Sequence, residues 1–283
     1  MKGAGPVGEN DGMDLGLSNR VYLVTGGSRG LGLAAAEALL ADGARVVLSS
    51  PHEATASAAA ARLSQNAAFA DSVTWVVADN SDPATPDRLI AAAEDRFGRL
   101  DGALISVGGT PPGTIATTTD DAWRSSFESV FLGAVRLARV LAEDQNNETQ
   151  ARPAHGSITG TGRSVVFVLA SSVRVPLARL PISNGLFPAL AGVAKTLASE
   201  LGPAGVRING LLPVRIATDR VREFDALSGD PDEVRARLSE QIPLRRYGEP
   251  EEFGRAAAFL LSPAASYITG AMIPVDGGAI RSI

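Results

Sequence analysis

Seven short runs rich in β-branched residues alternate along this chain with six stretches of helical length, and this rhythm limits the folds open to it. The runs are Val21–Thr25, Arg45–Ser49, Val73–Ala78, Ala103–Val107, Val165–Ala170, Val206–Leu211 and Ala271–Val275. Between them lie Leu31–Ala41, Glu53–Leu63, Pro86–Phe97, Asp121–Leu141, Leu186–Leu201 and Glu251–Leu261. The runs are largely apolar throughout instead of alternating with polar residues. Strands of that kind are buried on both faces, which requires a parallel sheet with helices on either side. Right-handed crossovers then lead to one doubly wound α/β domain. No internal repeat and no second core is evident.

The 283 residues suffice for one large core. Hydrophobic and charged contents of 45% and 20% are those of a globular protein. No apolar run has the length of a membrane span. Met1–Arg20 has one Lys, several Gly and no apolar core, so it does not read as a secretory signal. Residues 1–18 are expected to be a disordered tail, with 19–283 forming the folded domain. The absence of cysteine excludes disulfides, thiol catalysis and thiolate-held metals. Only His52 and His155 could supply imidazole, far apart in sequence, so no metal site is expected. A net charge of −5 without a basic cluster disfavours nucleic acid. Together these features fit a cytoplasmic protein.

Two stretches break the rhythm. Ala142–Thr161 is rich in Gln, Asn, Gly and Thr and is expected to be a surface loop. Arg215–Pro243 is charged, helical in part, and follows the C-terminal end of a strand, where ligands bind in such sheets. It is a candidate lid. An ordered excursion without a gating role is the alternative.

The string Val-Tyr-Leu-Val-Thr-Gly-Gly-Ser-Arg-Gly-Leu-Gly, Val21 to Gly32, carries the first functional signal. A strand enters a glycine-rich turn and a helix leaves it. Gly26 permits the tight turn, Gly30 close approach of a pyrophosphate, and Gly32 packing of helix on strand. The helix start then offers free N–H groups and a positive dipole end to phosphates.

With this turn, the chain resembles the short-chain dehydrogenase/reductase family over nearly its whole length after the tail. Asn-Gly-Leu-Leu-Pro (Asn209–Pro213), Pro-Leu-Arg-Arg-Tyr-Gly-Glu-Pro-Glu-Glu (Pro243–Glu252) and Ser-Tyr-Ile-Thr-Gly-Ala-Met-Ile-Pro-Val-Asp-Gly-Gly (Ser266–Gly278) resemble its later signatures. The resemblance implies a Rossmann-like sheet of seven strands in the order 3-2-1-4-5-6-7. It implies a nicotinamide cofactor held by Gly26, Ser28, Arg29, Gly30, Leu31, Gly32, Ser50, His52, Asp79, Asn80, Ser106, Gly108, Pro213, Ile216 and Thr218. NADPH is favoured over NADH. NAD-preferring members place an acid at the end of the second strand, where this chain has Ser50, and Arg29 can bond a 2′-phosphate. Asp79 corresponds to the residue at the adenine edge. Ile105 and Ser106 stand where the family has two Asn. The resemblance also implies a homodimer or homotetramer, paired through the long helices Asp121–Leu141 and Leu186–Leu201 and the C-terminal strand.

Members of this family usually work with an Asn, a Ser and a Tyr-x-x-x-Lys pair. Counting back from Asn209 by the family's spacing puts Ser183 and Phe187 where Tyr and Lys belong, and Val130 falls at the Asn. A shifted register cannot rescue the pair. The only lysines are Lys2 and Lys195, and the only tyrosines Tyr22, Tyr247 and Tyr267, so no Tyr-x-x-x-Lys exists. Ser172, or Ser171 beside it, is the one usual group left. Loss of a positioned acid slows such chemistry by about 10²–10⁴, and a solvent-facing Ser183 hydroxyl is too weak an acid to restore it. The prolines Pro176 and Pro181 suggest a reshaped loop between Ser172 and Ser183.

Three readings follow. The first is a ketoreductase whose substrate carries a hydroxyl hydrogen-bonded to the reacting carbonyl, as in aromatic polyketides; Val130 and Phe187 would make its pocket apolar. In lacking the pair, the chain is similar to atypical angucyclinone ketoreductases of the kind acting in simocyclinone biosynthesis. The second is a catalytically silent NADP-binding sensor or scaffold. The third is a dehydratase or isomerase using Asp219, Glu223 or Asp225 as base. The first is preferred.

Overall fold

The computed structural model describes residues 14–148 and 162–282. Its seven strands are β1 (Val21–Val24), β2 (Arg45–Ser50), β3 (Val73–Val77), β4 (Gly102–Ser106), β5 (Ser164–Val168), β6 (Arg207–Pro213) and β7 (Met272–Val275). They form one parallel sheet in the order β3-β2-β1-β4-β5-β6-β7.

Strand alternation divides the core between the two faces. Leu23, Val47, Ile105 and Phe167 point to one side, where they meet α3 (Thr85–Phe97), α5 (Gly133–Glu148) and α6 (Pro181–Leu201). Tyr22, Leu48, Leu104 and Val166 point to the other, against α1 (Gly30–Ala41), α2 (Glu53–Ser64) and α9 (Pro250–Leu261). Each fully buried aliphatic side chain contributes about 1.5–3 kcal/mol, so both faces are needed to hold the sheet.

Three expectations are corrected. Residues 14–18 belong to the fold: Leu17 is 1% exposed and packs in the core with Tyr22. One apolar side chain ties this stretch down, which a composition rich in Gly does not reveal; residues 1–13 lie outside the described part. Ala142–Thr161 is not a loop from its start, since α5 runs to Glu148. Residues 149–161 lie outside the described part. The third concerns α6, which begins at Pro181 instead of Leu186. Proline is welcome in a first helical turn, so the proline that signalled a loop instead opens the helix.

The helix expected over Asp121–Leu141 is also interrupted. α4 (Asp120–Ser126) passes into a π-helical stretch, Phe127–Leu132, before α5. Such wide turns concentrate at functional sites, and Val130 sits inside this one. The segment 215–243 contains α7 (Asp219–Ala226) and α8 (Pro231–Ser239), and it leaves the sheet at the C-terminal end of β6.

Candidate nucleotide crevice and reaction corner

β1 and β4 are neighbours, and the chain departs from them toward opposite sides of the sheet. The crevice between their C-terminal ends is the place where doubly wound sheets take ligands. Thr25 clips the two strands together there. Its hydroxyl donates to the Ser106 carbonyl at 2.9 Å and accepts from the Ser106 N–H at 2.8 Å. The Asn80 side-chain amide donates to the same carbonyl at 3.4 Å. Ser106 is thereby used as structure, and Ile105 beside it is core at 1% exposure.

The turn after β1 has the shape its sequence implies. Gly26 takes φ +59, and a Cβ on Gly32 would lie 2.4 Å from the Gly26 carbonyl oxygen. Only glycine lets α1 begin that close to the turn. Leu31 follows at the start of α1, and Arg29 caps it with an extended backbone. The Arg29 side chain is exposed and has no ion-pair partner among the described residues. Across the crevice Gly108 has φ +75, with open space where a Cβ would be. These are features a dinucleotide requires: bare backbone on both walls, a helix start facing them, and a free cation at the rim.

Ser50 ends β2 where NAD-preferring members were expected to carry an acid. It is 3% exposed and is a hub. The Ser28 hydroxyl donates to it at 3.3 Å, the Thr55 hydroxyl lies 2.8 Å away, and the His52 N–H donates to it at 3.4 Å. The His52 side chain is exposed above this shelf. Asp79 follows β3, exposed, with one carboxylate oxygen accepting from the Ser81 N–H and hydroxyl at 2.8 and 2.9 Å.

Pro213, Ile216 and Thr218 carry the chain from β6 over the crevice. Ile216 is buried and bridges to Gly248. Thr218 caps α7, and its methyl group lies 3.5 Å from the place of a Cβ on Gly30.

The reaction corner lies at the end of β5. Ser172 and Ser183 are brought together: the Ser172 hydroxyl donates to the Ser183 carbonyl at 3.2 Å, and the two hydroxyls are 3.0 Å apart. They are 4% and 3% exposed, so Ser183 does not face solvent as expected. The early start of α6 is the reason, since it turns Ser183 inward. Val130 and Phe187 are 2% and 4% exposed and belong to the core face with Ile182 and Leu190. They close the floor of the corner and do not line an open pocket, because apolar side chains packed in one cluster exclude water from each other.

The loop between the two serines is held by Asn184, which no sequence signal marked. Its side chain accepts from the Leu177 N–H at 2.8 Å and donates to the Leu177 carbonyl at 2.9 Å. Thr25, Thr55 and Asn184 were missed alike. Only Thr25, as the first residue of the Thr-Gly-x-x-x-Gly-x-Gly string, carried a signal.

No tyrosine or lysine shares a hydrogen bond with Ser172 among the described residues. Tyr22 is buried, donates to the Leu261 carbonyl at 3.3 Å, and its phenol is pushed well above its usual range by that burial. The Tyr247 hydroxyl donates to Asp225 at 2.9 Å, with burial the main cause of its raised pKa. Tyr267 is fully exposed. The Lys195 ammonium donates to the Gly270 carbonyl at 3.2 Å. Asp225, a candidate base, is 3% exposed and paired with Arg215 as well as Tyr247, so it belongs to the framework of α7. Asp219 and Glu223 are exposed on that helix. Among the described residues no group of acids and histidines could hold a metal, and no helix is long and apolar enough to cross a membrane.

Residues 26–279 match the family model described as enoyl-(acyl carrier protein) reductase. The chain is 32% identical over 269 residues to levodione reductase of Leifsonia aquatica, covering 92% of this chain and 94% of that protein. It is 30% identical over 264 residues to 3-oxoacyl-[acyl-carrier-protein] reductase of Escherichia coli, covering 93% and 98%. Its fold is similar to L-sorbose reductase of Gluconobacter frateurii, solved with NADPH and L-sorbose, at a TM-score of 0.84 and 28% identity over 96% of this chain and all of that one. The parallel order of the sheet, the bare glycine walls of the crevice and these matches agree, and the chain belongs to the short-chain dehydrogenase/reductase family as an NAD(P)-dependent oxidoreductase.

Proposed function

We propose that this protein is an NADPH-dependent ketoreductase acting on an aromatic polyketide carbonyl, angucyclinone-like, whose own neighbouring hydroxyl or a water supplies the proton. The observation that carries this reading is the partner of Ser172. In the corner where the family's acid belongs, its hydroxyl meets a second serine, with Val130 and Phe187 buried beneath.

NADPH, when bound, supplies the hydride. The turn from Gly26 to Gly32 and the start of α1 would hold its pyrophosphate, and Gly108 would let the opposite wall approach. Arg29 and the shelf of Ser28, Ser50 and His52 would take the 2′-phosphate. The fold alone does not choose the cofactor: a Brucella melitensis 3-ketoacyl-(acyl-carrier-protein) reductase of similar structure was solved with NADH. The choice rests on the free guanidinium of Arg29 and on a serine in place of an acid at residue 50.

Ser172 and Ser183 can donate a hydrogen bond to a carbonyl oxygen, but an aliphatic hydroxyl is a poor proton donor at neutral pH. A ketone flanked by a phenol or enol hydroxyl arrives with that proton already in place. The protein then has only to align the reactants, an effect that can exceed the loss of a general acid. Two of the relatives carry the name of a small-molecule substrate, levodione and L-sorbose, and neither is an aromatic polycycle.

Assembly as a homodimer or homotetramer through α4–α5 and α6 is part of the same proposal. Phe127, 42% exposed and stacked on Phe131 at 5.2 Å, offers apolar surface there.

The test is cofactor oxidation with a panel of ketones. Turnover confined to ketones with an internal hydrogen bond supports the reading. Equal turnover of simple ketones overturns it, and binding of NADPH without turnover across the panel favours a silent binding protein.

A further inference from the structure

The N-terminal end of α7 lies across the nucleotide crevice and touches both walls. On one side the Thr218 methyl group stands 3.5 Å from the position of a Cβ on Gly30, at the end of the β1 turn. On the other side Arg220 reaches the segment after β4. Its guanidinium donates to the Thr110 carbonyl at 3.3 Å. It lies flat on Gly109: a Cβ there would be 1.9 Å from Nη2 and 2.1 Å from Cζ. Gly30 and Gly109 follow adjacent strands on either side of the crevice, so residues 218–220 roof it.

The two ends of this strap are held very differently. The far end is fixed by a buried cluster. Asp225, 3% exposed, takes hydrogen bonds from Arg215 and from the Tyr247 hydroxyl. The Arg235 guanidinium stacks 5.2 Å from the centre of the Tyr247 ring. Breaking such a group leaves a buried charge unpaired, so this end stays down. The near end is tied to the β4 side by one hydrogen bond from a largely exposed arginine to a neutral carbonyl. A contact of that kind is worth little net and opens readily.

We propose that Arg220 is a latch: laid across Gly109 and bonded to the Thr110 carbonyl, it holds the start of α7 over the bound dinucleotide and sets how fast the cofactor leaves. The proposal rests on the assignment of the crevice to the nicotinamide nucleotide and is independent of the ketone reduced. A roof closed by one weak bond suits an enzyme that must exchange its cofactor every turnover, since lid opening and product release often limit such cycles.

Gly109 supplies the decisive second variant. Its backbone is not in the left-handed region, so alanine is conformationally acceptable there. The added methyl would collide with the guanidinium and push Arg220 off its acceptor while leaving its charge nearby. NADPH release is measured by displacement from the full-length wild-type, R220A, R220K, G109A and R220A/G109A proteins. Binding of adenosine 2′-monophosphate, which lacks the pyrophosphate that lies under the roof, is measured in parallel. The latch predicts release about tenfold faster in R220A and in G109A, a smaller change in R220K, and no further change in the double variant. Monophosphate binding stays at the wild-type value in all of them.

Release within about twofold of wild type in R220A overturns the proposal. Unchanged release in G109A does so too, since it would leave Arg220 acting by charge and not by its seat on Gly109. Equal loss of monophosphate affinity would mean general damage and is likewise contrary. Should R220A not fold, R220K and G109A decide. Wild-type protein that binds no NADPH overturns this inference and the nucleotide reading together. Normal binding and latching without ketone turnover overturns only the substrate reading.

Discussion

The two halves of the site are built from different materials. The nucleotide crevice is made of backbone: turns at Gly26 and Gly30, a bare wall at Gly108, and the first amides of α1. The reaction corner is made of side chains, Ser172 and Ser183 over Val130 and Phe187. Backbone sites tolerate almost no substitution, because any Cβ removes the space the ligand or the chain itself needs. A side-chain site can change its chemistry residue by residue while the fold stands. In this chain the crevice carries the glycine string, and the corner pairs Ser172 with Ser183.

The comparison can be broken most severely at Gly32. Alanine there puts a methyl group 2.4 Å from the Gly26 carbonyl oxygen, a collision of backbone with no flexible side chain to yield. Gly32→Ala is expected to lose about 2–3 kcal/mol of stability, and NADPH affinity by about a hundredfold, in denaturant titration and fluorescence binding. An Arg29→Ala variant separates the two nucleotides. Losing one charge-assisted hydrogen bond should weaken NADPH about 10–100-fold and leave NADH unchanged, read by the same titration.

The corner should respond far less. Ser172→Ala removes one hydroxyl whose partners are the carbonyl and hydroxyl of Ser183, and the predicted fall in kcat with a phenolic ketone is below about tenfold. A fall of about 10³ would make Ser172 a principal catalytic group and erase the contrast.

The smallest effect lies away from both. Arg246 and Glu252 form two bonds of 2.7 Å, and Glu252 also accepts from the Glu249 N–H at 2.8 Å, which closes the start of α9. These bonds hold the Glu252 carboxyl at about 2, below its ordinary 4.5. A depressed folded value means stability that is present above pH 4.5 and lost as pH falls toward 2. Glu252→Gln should flatten that part of the stability–pH curve slightly, and an unchanged curve would show the pair to be inert.

Much of this architecture was legible in the chain because hydrophobic periodicity and glycine spacing are local signals. Every strand fell within a few residues of its expected place, and the turn at Gly26 was readable from its string. What escaped were contacts between distant segments. Leu17 ties down the tail through packing that composition cannot reveal. Pro181 carries the same local signal in a loop as in a first helical turn, and only the packing of α6 shows that Ser183 is buried. Thr25, Asn184 and Arg220 act through carbonyls of other segments. A side chain that bonds a backbone atom leaves no pattern in the residue it bonds.

The central claim concerns where the carbonyl oxygen obtains its proton, and a matched pair of ketones tests it most directly. One member carries a hydroxyl hydrogen-bonded to the reacting carbonyl; the other is its methyl ether, equal in ring system and nearly in size. The account predicts that methylation lowers kcat by about a hundredfold or more while NADPH binding is unchanged. Equal turnover of the ether would contradict the substrate's hydroxyl as the source, and would leave water or the protein to supply the proton.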